Sequence, residues 1–234
     1  MLERMIKLTW ASRRVDDVST LFYRGGDETV DEGHGLLVVR ARDGLEHVGE
    51  KTLAAFEHVL ETRPFDVVFR TNCSSYVDLV NLRRFVSERP AGSFYAGVVG
   101  EHGGSTFASG SGYFLSRDLV ELAVAQRDRW DHTLLDDVAL GLLLARNGFT
   151  PTPAPRVDYR TPSEVVHVDT QQFHFRCRTR SPWRIDDARI MVRLDAAFRD
   201  ARGLRVGVRN RGLRVALAAG SAVARSVGRQ KSGG

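Results

Sequence analysis

Cysteine and long apolar runs are both scarce in this chain of 234 residues. Its two cysteines, Cys73 and Cys177, are too few for a disulfide framework, so we expect a reducing, cytoplasmic location. Residues 215–224 form a stretch of ten uncharged residues, about half of the ~20 that a membrane-spanning helix needs. The first seven residues lead into no apolar run, so no signal peptide is expected.

Lysine is almost absent, and acidic residues are missing from the C-terminal region. Of 34 basic residues only three are lysine, a bias typical of a GC-rich genome. Residues 202–234 hold eight basic and no acidic side chains, so the formal net charge of +5 divides into +8 there and −3 for residues 1–201. A nucleic-acid-binding body would need a basic face, so no specific nucleic-acid partner is expected.

This charge distribution predicts a main domain over residues 1–201 and a basic tail over residues 202–234. Two interpretations of the tail remain open. Residues 203–229 could form a weakly amphipathic segment on an anionic membrane, where each basic residue contributes about 1 kcal/mol. This would place the protein at the inner face of the membrane. Alternatively, the tail is a disordered, solubilising segment.

Strand and helix patterns alternate along the main domain. Apolar runs predict strands at 18–23, 36–40, 65–69 and 94–99, with strand and turn at 165–178. Helical spacing predicts helices at 2–14, 48–62, 77–86, 116–127, 136–147 and 185–201. Such alternation indicates an α/β fold, a mostly parallel sheet with helices on both faces. Ligands of such sheets bind at the carboxyl ends of the strands.

Two motifs follow predicted strands. Small polar residues occupy positions 70–78, and they suit either a ligand-facing turn or an ordinary turn with a helix cap. In the stretch 107–118, Gly110 and Gly112 allow close approach of the backbone to a ligand or strand. A tight loop is the favoured interpretation of these two glycines.

Two further motifs carry charged side chains. Asp136 and Asp137 open an apolar helix, where they either complement its dipole or offer a general base with an orienting partner. Alternation in residues 173–178 puts His174, Arg176 and Arg178 on one face. A histidine with two arginines on one face favours an anionic ligand such as a diphosphate.

The order and spacing of these blocks resembles the fringe-like β-1,3-glycosyltransferase family. The most specific blocks are FASGSGYFLSRDLV at 107–120 and DDV at 136–138 followed by Gly141. RMIKLTW at 4–10, DGLEHVGEKT at 43–52 and YAG at 95–97 are similar to other family motifs. The resemblance covers about residues 4–150 and continues more weakly to 178. It implies a Rossmann-like GT-A domain and an inverting sugar transfer from a UDP-sugar to a hydroxyl of a glycan or lipid-linked acceptor.

The resemblance also implies residue roles. Asp137 aligns with the family's general base, with Asp136 orienting it or binding the acceptor, and His174 aligns roughly with a metal-binding histidine. The residues expected to bind the donor are Arg70, Thr71, Asn72, Ser74, Gly110, Gly112, Arg176 and Arg178.

The sequence departs from the family pattern in two places. The family's metal-binding D-D-D aligns with Asn72-Cys73-Ser74, which leaves no carboxylate for Mn²⁺ or Mg²⁺. The enzyme then needs no metal, binds one weakly, or is an inactive relative that binds a nucleotide sugar or glycan. A softer metal held by Cys73, His174 and Cys177 is a further alternative. Second, the chain begins inside the family's first helix, without the preceding strand, which suggests a misplaced start codon.

Overall fold

The computed structural model describes residues 1–204, which divide into two compact units. Unit 1 comprises Met1–Arg14, Cys73–Leu82 and the residues from Arg156 onward. Unit 2 comprises Val15–Asn72 and Arg83–Pro155. Among the described residues, no helix is both long enough and apolar enough to cross a bilayer. The membrane-binding segment predicted at 203–229 lies, from residue 205 on, outside the described residues.

The described residues form six α-helices and ten strands. The helices are α1 (Leu2–Leu8), α2 (Val48–Thr62), α3 (Leu79–Ser87), α4 (Arg117–Ala125), α5 (Asp136–Arg146) and α6 (Ile185–Ala201). The strands are β1 (Phe22–Gly26), β2 (Val30–Gly33), β3 (Leu36–Arg40), β4 (Val67–Thr71), β5 (Ser75–Val77), β6 (Tyr95–His102), β7 (Ser105–Ser116), β8 (Thr152–Pro153), β9 (Val157–Tyr159) and β10 (His174–Cys177).

The α/β class is confirmed, but the expectation of a mostly parallel sheet is wrong. Unit 2 contains a sheet of order β4-β7-β6-β8, in which β7 is antiparallel to both β4 and β6. The reason is the connection between β6 and β7. Gly103 and Gly104 both have positive φ, and a two-residue turn of this kind joins only antiparallel strands. The sheets β1-β3-β2 and β5-β10-β9 are also mixed.

The longest strand, β7, packs differently on its two faces. Tyr113 and Leu115 belong to a core cluster with Phe56 of α2 and Leu140 of α5. Phe114 points to the other face, where it contacts other aromatic rings: Phe69, Phe85 and Phe94, with ring centroids 4.5, 5.2 and 5.6 Å away. Alternating side chains of one strand therefore bury two apolar surfaces, which fixes the register of the central sheet.

Unit 1 is held together by a buried ionic network as well as by aromatic packing. Asp78, whose side chain is fully buried, pairs with Arg13 at 3.1 Å and with Arg202 at 2.6 Å. Arg13 also pairs with Asp195 at 2.7 Å. Tyr76 and Phe198 stack beside this network, with ring centroids 5.6 Å apart. The three stretches of chain that form unit 1 are thus joined by opposite charges in a place shielded from water.

Helix α6 ends in a glycine cap. Gly203 has φ +64° and donates its backbone N–H to Asp200, while Leu204 donates to the carbonyl of Arg199. This pair of bonds is the Schellman arrangement, which satisfies the last carbonyls of a helix. Residues 202–204, which the charge pattern assigned to the tail, therefore complete α6. The domain boundaries proposed from the sequence stay a prediction.

Candidate functional site

The two adjacent carboxylates open helix α5 in unit 2, as the sequence predicted. Leu135 is extended and offers no side-chain cap, so the first turn depends on Asp136 and Asp137 to complement the helix dipole. Asp137 Oδ1 accepts the backbone N–H of Val138 at 3.0 Å. The two carboxylates therefore help to cap helix α5. A catalytic role of Asp137 would have to use the lone pairs that the Val138 N–H leaves unoccupied.

Asp137 is fixed from a second side by strand β7. Its Oδ2 accepts the backbone N–H of Gly110 at 2.6 Å. A Cβ placed on Gly110 would lie 3.1 Å from Arg70 Nη1 and 3.2 Å from Asp137 Oδ2. Glycine in the interior of a strand often marks such a close approach. The stretch that the sequence suggested to be a tight loop is a strand, and its glycine provides space for the carboxylate.

Arg70 of β4 connects the two carboxylates. Its Nη2 lies 2.7 Å from Asp136 Oδ2. The two groups form an ion pair, but their geometry is not that of a hydrogen bond. Its Nη1 donates to the carbonyl of Gly110 at 2.6 Å, and its Nε donates to the Tyr23 hydroxyl at 3.2 Å. The Arg70 side chain is only 9% exposed. Its three nitrogens have protein partners, so Arg70 is placed to position carboxylates; the donor-binding role stays a prediction.

Burial dominates the electrostatics of this cluster. Burial raises the pKa of Asp136 above its ordinary value, more than the Arg70 guanidinium lowers it, and the adjacent Asp137 raises it further. Burial likewise raises the pKa of Tyr113, whose hydroxyl has no hydrogen-bond partner among the described residues. The Tyr113 ring lies under the Arg70 guanidinium at 5.6 Å. Tyr23 and Tyr113 belong to this cluster, and no local sequence signal pointed to them.

Thr71 and Gly112, both predicted to bind the donor, are paired across the sheet. They face each other in the register of β4 and β7, and Thr71 Oγ1 donates to the carbonyl of Ser111 at 2.6 Å. Thr71 and Gly112 therefore contribute to the pairing of β4 with β7. Asn72 follows directly after β4 at the end of a stretch of unit 2.

Ser74 and His174 lie in unit 1. Ser74 Oγ accepts a hydrogen bond from Arg184 Nη2 at 2.7 Å. His174 is 2% exposed, its Nε2 lies 3.2 Å from Ser75 Oγ, and its ring stacks near Phe173. These partners are those of a core histidine on β10. Its alignment with a metal-binding histidine stays a prediction.

The residues at the expected metal position do not fit a hard divalent cation. Asn72-Cys73-Ser74 supplies no carboxylate, the ligand that Mn²⁺ and Mg²⁺ prefer. Over residues 1–204, the structure brings no three His, Cys, Asp or Glu side chains into a metal-binding group. Cys73 is exposed and Cys177 is buried.

Arg176 and Arg178 line a small cavity of about 160 Å³ in unit 1, together with Asp158, Tyr159 and Arg160. Arg176 and Arg178, predicted from strand alternation to share a face with His174, thus line one cavity, although Arg178 lies just beyond β10. His174 is not among the residues that line this cavity.

A larger crevice of about 780 Å³ lies in unit 2, and the sequence interpretation missed it. Strands β1 and β3 are parallel and end at Gly26 and Arg40, so the crevice occupies the carboxyl edge where α/β proteins bind ligands. The lining residues are Gly25, Gly26, Asp27, Arg40, Ala41, Arg42, Asp43 and Glu50. The sequence signal is the stretch Arg24-Gly25-Gly26-Asp27, which follows the strand predicted at 18–23.

Comparison with known proteins adds no relative. Neither the scan against protein-family models nor the search of curated proteins returns a match for this chain.

Proposed function

We propose that this protein is a glycosyltransferase with a GT-A type nucleotide-sugar fold, related to the fringe-like family. It transfers a sugar from a nucleotide sugar, a UDP-sugar by resemblance, to a hydroxyl of a glycan or lipid-linked acceptor. The observation that carries this proposal is the fixed pair Asp136 and Asp137, with Asp137 bound to Gly110 and Asp136 paired with Arg70. A cytoplasmic location and membrane contact through residues 203–229 stay predictions.

Asp137 acts as the general base in this mechanism. An ionised carboxylate has about four lone-pair sites, and Gly110 and Val138 occupy two of them. A remaining site takes the proton of the acceptor hydroxyl while its oxygen attacks the anomeric carbon. The bond from that carbon to the diphosphate oxygen breaks, and the nucleoside diphosphate leaves with its electron pair. The attack from the opposite face inverts the configuration, through a transition state with oxocarbenium character.

Asp136 and Arg70 act as positioning residues. Arg70 contacts Asp136 directly and reaches Asp137 through the backbone of Gly110. This arrangement holds the base in one orientation before the acceptor arrives, which lowers the entropic cost of reaching the transition state.

The crevice at the ends of β1 and β3 supports donor binding. Its volume of about 780 Å³ falls in the range of small-molecule sites, roughly 300–1,000 Å³. Arg40 and Arg42 are its cationic groups toward a diphosphate, beside the carboxylates of Asp27, Glu50 and Asp43, the last of which pairs with Lys51 at 2.9 Å. Tyr23 of β1, which bonds Arg70, lies two residues before Gly25 at the crevice. No step of the mechanism passes through a metal ion.

A second candidate function is a non-catalytic relative that binds a nucleotide sugar or glycan. The observation that favours it is the set Asn72-Cys73-Ser74, which lacks the carboxylates that catalytic relatives use. It predicts binding of the donor without release of nucleoside diphosphate, whatever acceptor is supplied.

The two functions are separated by a turnover assay. The full chain is incubated with a panel of nucleotide sugars and acceptors, with Mn²⁺ or with EDTA, and release of nucleoside diphosphate is measured. We expect turnover that survives EDTA and falls about 10²–10⁴-fold in Asp137→Asn, the usual contribution of a general base. Asp131→Asn is the matched control, because the Asp131 side chain is exposed and accepts hydrogen bonds from Thr133. Full turnover in Asp137→Asn would remove the base assignment.

A further inference from the structure

Three arginines surround a cavity at the carboxyl edge of the sheet in unit 1. We call the cavity lined by Asp158, Tyr159, Arg160, Arg176 and Arg178 the arginine pocket. Strands β9 and β10 run parallel, with Tyr159 opposite Cys177. Arg160 and Arg178 are the next residues after those strand ends. The pocket thus lies where parallel strands of α/β proteins present ligand-binding residues.

Positive charge in the arginine pocket exceeds negative charge. Asp158 is the one acidic residue among the described residues that line it, and both Asp158 oxygens are taken by Arg156, at 2.5 and 3.0 Å. Within residues 1–204, no carboxylate forms a salt bridge with the side chains of the three lining arginines. Glu164 accepts the backbone N–H of Arg160, and the Arg160 charge also acts on this carboxylate without a salt bridge between the two side chains.

The Arg176 side chain is partly buried among other guanidinium groups. Its Nε is buried and has no hydrogen-bond partner in the described part of the chain. Burial lowers the pKa of Arg176, and the neighbouring guanidinium groups of Arg156, Arg178 and Arg184 lower it further, against the opposing effect of Asp158. A buried donor without an acceptor costs free energy, and a charged one costs more. An anion bound in the pocket would remove that cost.

We propose that the arginine pocket is a binding site for a phosphate or diphosphate group, with Arg176 as its central ligand. The planar guanidinium fork binds two oxygens of such a group at once, which favours phosphate over a spherical anion. The volume of about 160 Å³ is below the roughly 300 Å³ of the smallest drug-sized pockets, so the site takes the phosphate end of a ligand. The proposal rests on unit 1 alone and stands whether or not the protein transfers sugars.

Calorimetric titration of the full chain at low salt tests this proposal. The probes are inorganic pyrophosphate, uridine 5′-diphosphate and phosphatidylcholine vesicles that carry phosphatidic acid. We expect pyrophosphate to bind, and Arg176→Met to weaken that binding on the order of 10–100-fold, the loss typical of a charge-assisted hydrogen bond. Arg83→Met is the control, because Arg83 is an exposed arginine of unit 2 paired with Asp17. It should bind as the unchanged protein does.

A second variant keeps the test valid if Arg176→Met fails to fold. Arg178 is exposed, so Arg178→Met should keep the unfolding temperature while it weakens pyrophosphate binding. Loss of uridine diphosphate or vesicle binding in the same variants would identify a nucleotide or a lipid as the source of the phosphate. Pyrophosphate affinity that is undetectable in the unchanged protein, or is unaltered in both variants, would overturn the proposal.

Discussion

The backbone N–H of Gly110 lies 2.6 Å from Asp137 Oδ2, which joins the middle of strand β7 to the first turn of helix α5. The same glycine accepts a hydrogen bond from Arg70 through its carbonyl oxygen. One residue without a side chain therefore sets the distance between a buried cation and a carboxylate that belong to different elements. The position of Asp137 depends on the strand as much as on its own helix.

Gly110→Ala should impair the site more than the fold. The added Cβ would lie 3.1–3.3 Å from Arg70 and Asp137, so one of them must shift by a few tenths of an ångström. A misplaced catalytic group of this kind can cost up to about 10²-fold in rate. Turnover and the unfolding temperature are measured together. Ser109→Ala, on the neighbouring residue of β7, serves as the control, and equal turnover in both variants would contradict the role of Gly110.

The stability contributed by Asp136 should decline as pH rises. Burial raises its pKa in the folded state above the ordinary value of 3.8, so the folded state holds the proton more tightly than the unfolded chain does. That contribution is full below pH 3.8 and is lost as pH rises through the folded pKa. The measurement is the difference in unfolding free energy between the unchanged protein and Asp136→Asn from pH 3.5 to 7.

We expect that difference to shrink as pH rises. A difference that grows instead would mean that the ion pair with Arg70 outweighs burial, and that the folded pKa of Asp136 is lowered.

Asp78→Ala should destabilise the protein by about 3–5 kcal/mol, the usual cost of leaving a buried charge without its partner. The substitution takes from Arg202 its buried carboxylate, leaves Arg13 paired with Asp195 alone, and removes the cap on Asn81 at the start of α3. Urea denaturation gives the free energy of unfolding.

Asp17→Asn is the control. It breaks a surface pair with Arg83, in which the Asp17 side chain is 78% exposed, so it should cost at most about 1 kcal/mol. Equal losses would show that the buried network contributes no more than a surface pair.

The two cysteines should differ in reactivity. Cys73 is exposed, whereas burial strongly raises the pKa of the fully buried Cys177. The thiolate is the reactive form, so an aromatic disulfide reagent should titrate one thiol in the folded protein and two in urea. Cys73→Ser should remove the fast reaction. Two fast thiols in the folded state would mean that Cys177 is accessible.

Strongly periodic elements were predictable from the sequence. Helices α2 and α6 have the predicted bounds because their apolar spacing is regular, and strand β3 has them because it coincides with a short apolar run. The strands around 18–23 and 65–69 are present but shifted toward the C-terminus, to β1 and β4. Strand ends depend on pairing partners, which local pattern does not reveal.

The hairpin of β6 and β7 was the element that the sequence predicted least well. The Gly103-Gly104 pair is a two-residue hairpin signal, yet the sequence pattern predicts a strand only at 94–99 and favours a tight loop around Gly110 and Gly112. Glycine lowers strand propensity, but here Gly110 is needed for contact with Asp137. Local strand propensity therefore disfavours Gly110, whereas its tertiary contact with Asp137 requires a residue without a side chain.

The sequence predicted which residues form the site better than it predicted the contacts between them. Asp136, Asp137, Arg70 and Gly110 were all identified, but their mutual bonds connect positions 27–66 residues apart. The family resemblance indicated these residues but did not indicate which of them bond to one another. Arg160 of the arginine pocket was missed because the strand that precedes it is only three residues long.

The ionic network of unit 1 sets an order for folding during synthesis. Arg13, Asp78 and Arg202 come from the first, the middle and the last stretch of that unit. The chain leaves the ribosome N-terminus first, so every residue of unit 2, which ends at Pro155, emerges before Arg202. Arg13 and Asp78 are therefore synthesised well before Arg202, and the buried network of unit 1 cannot be completed until the end of α6 has left the ribosome.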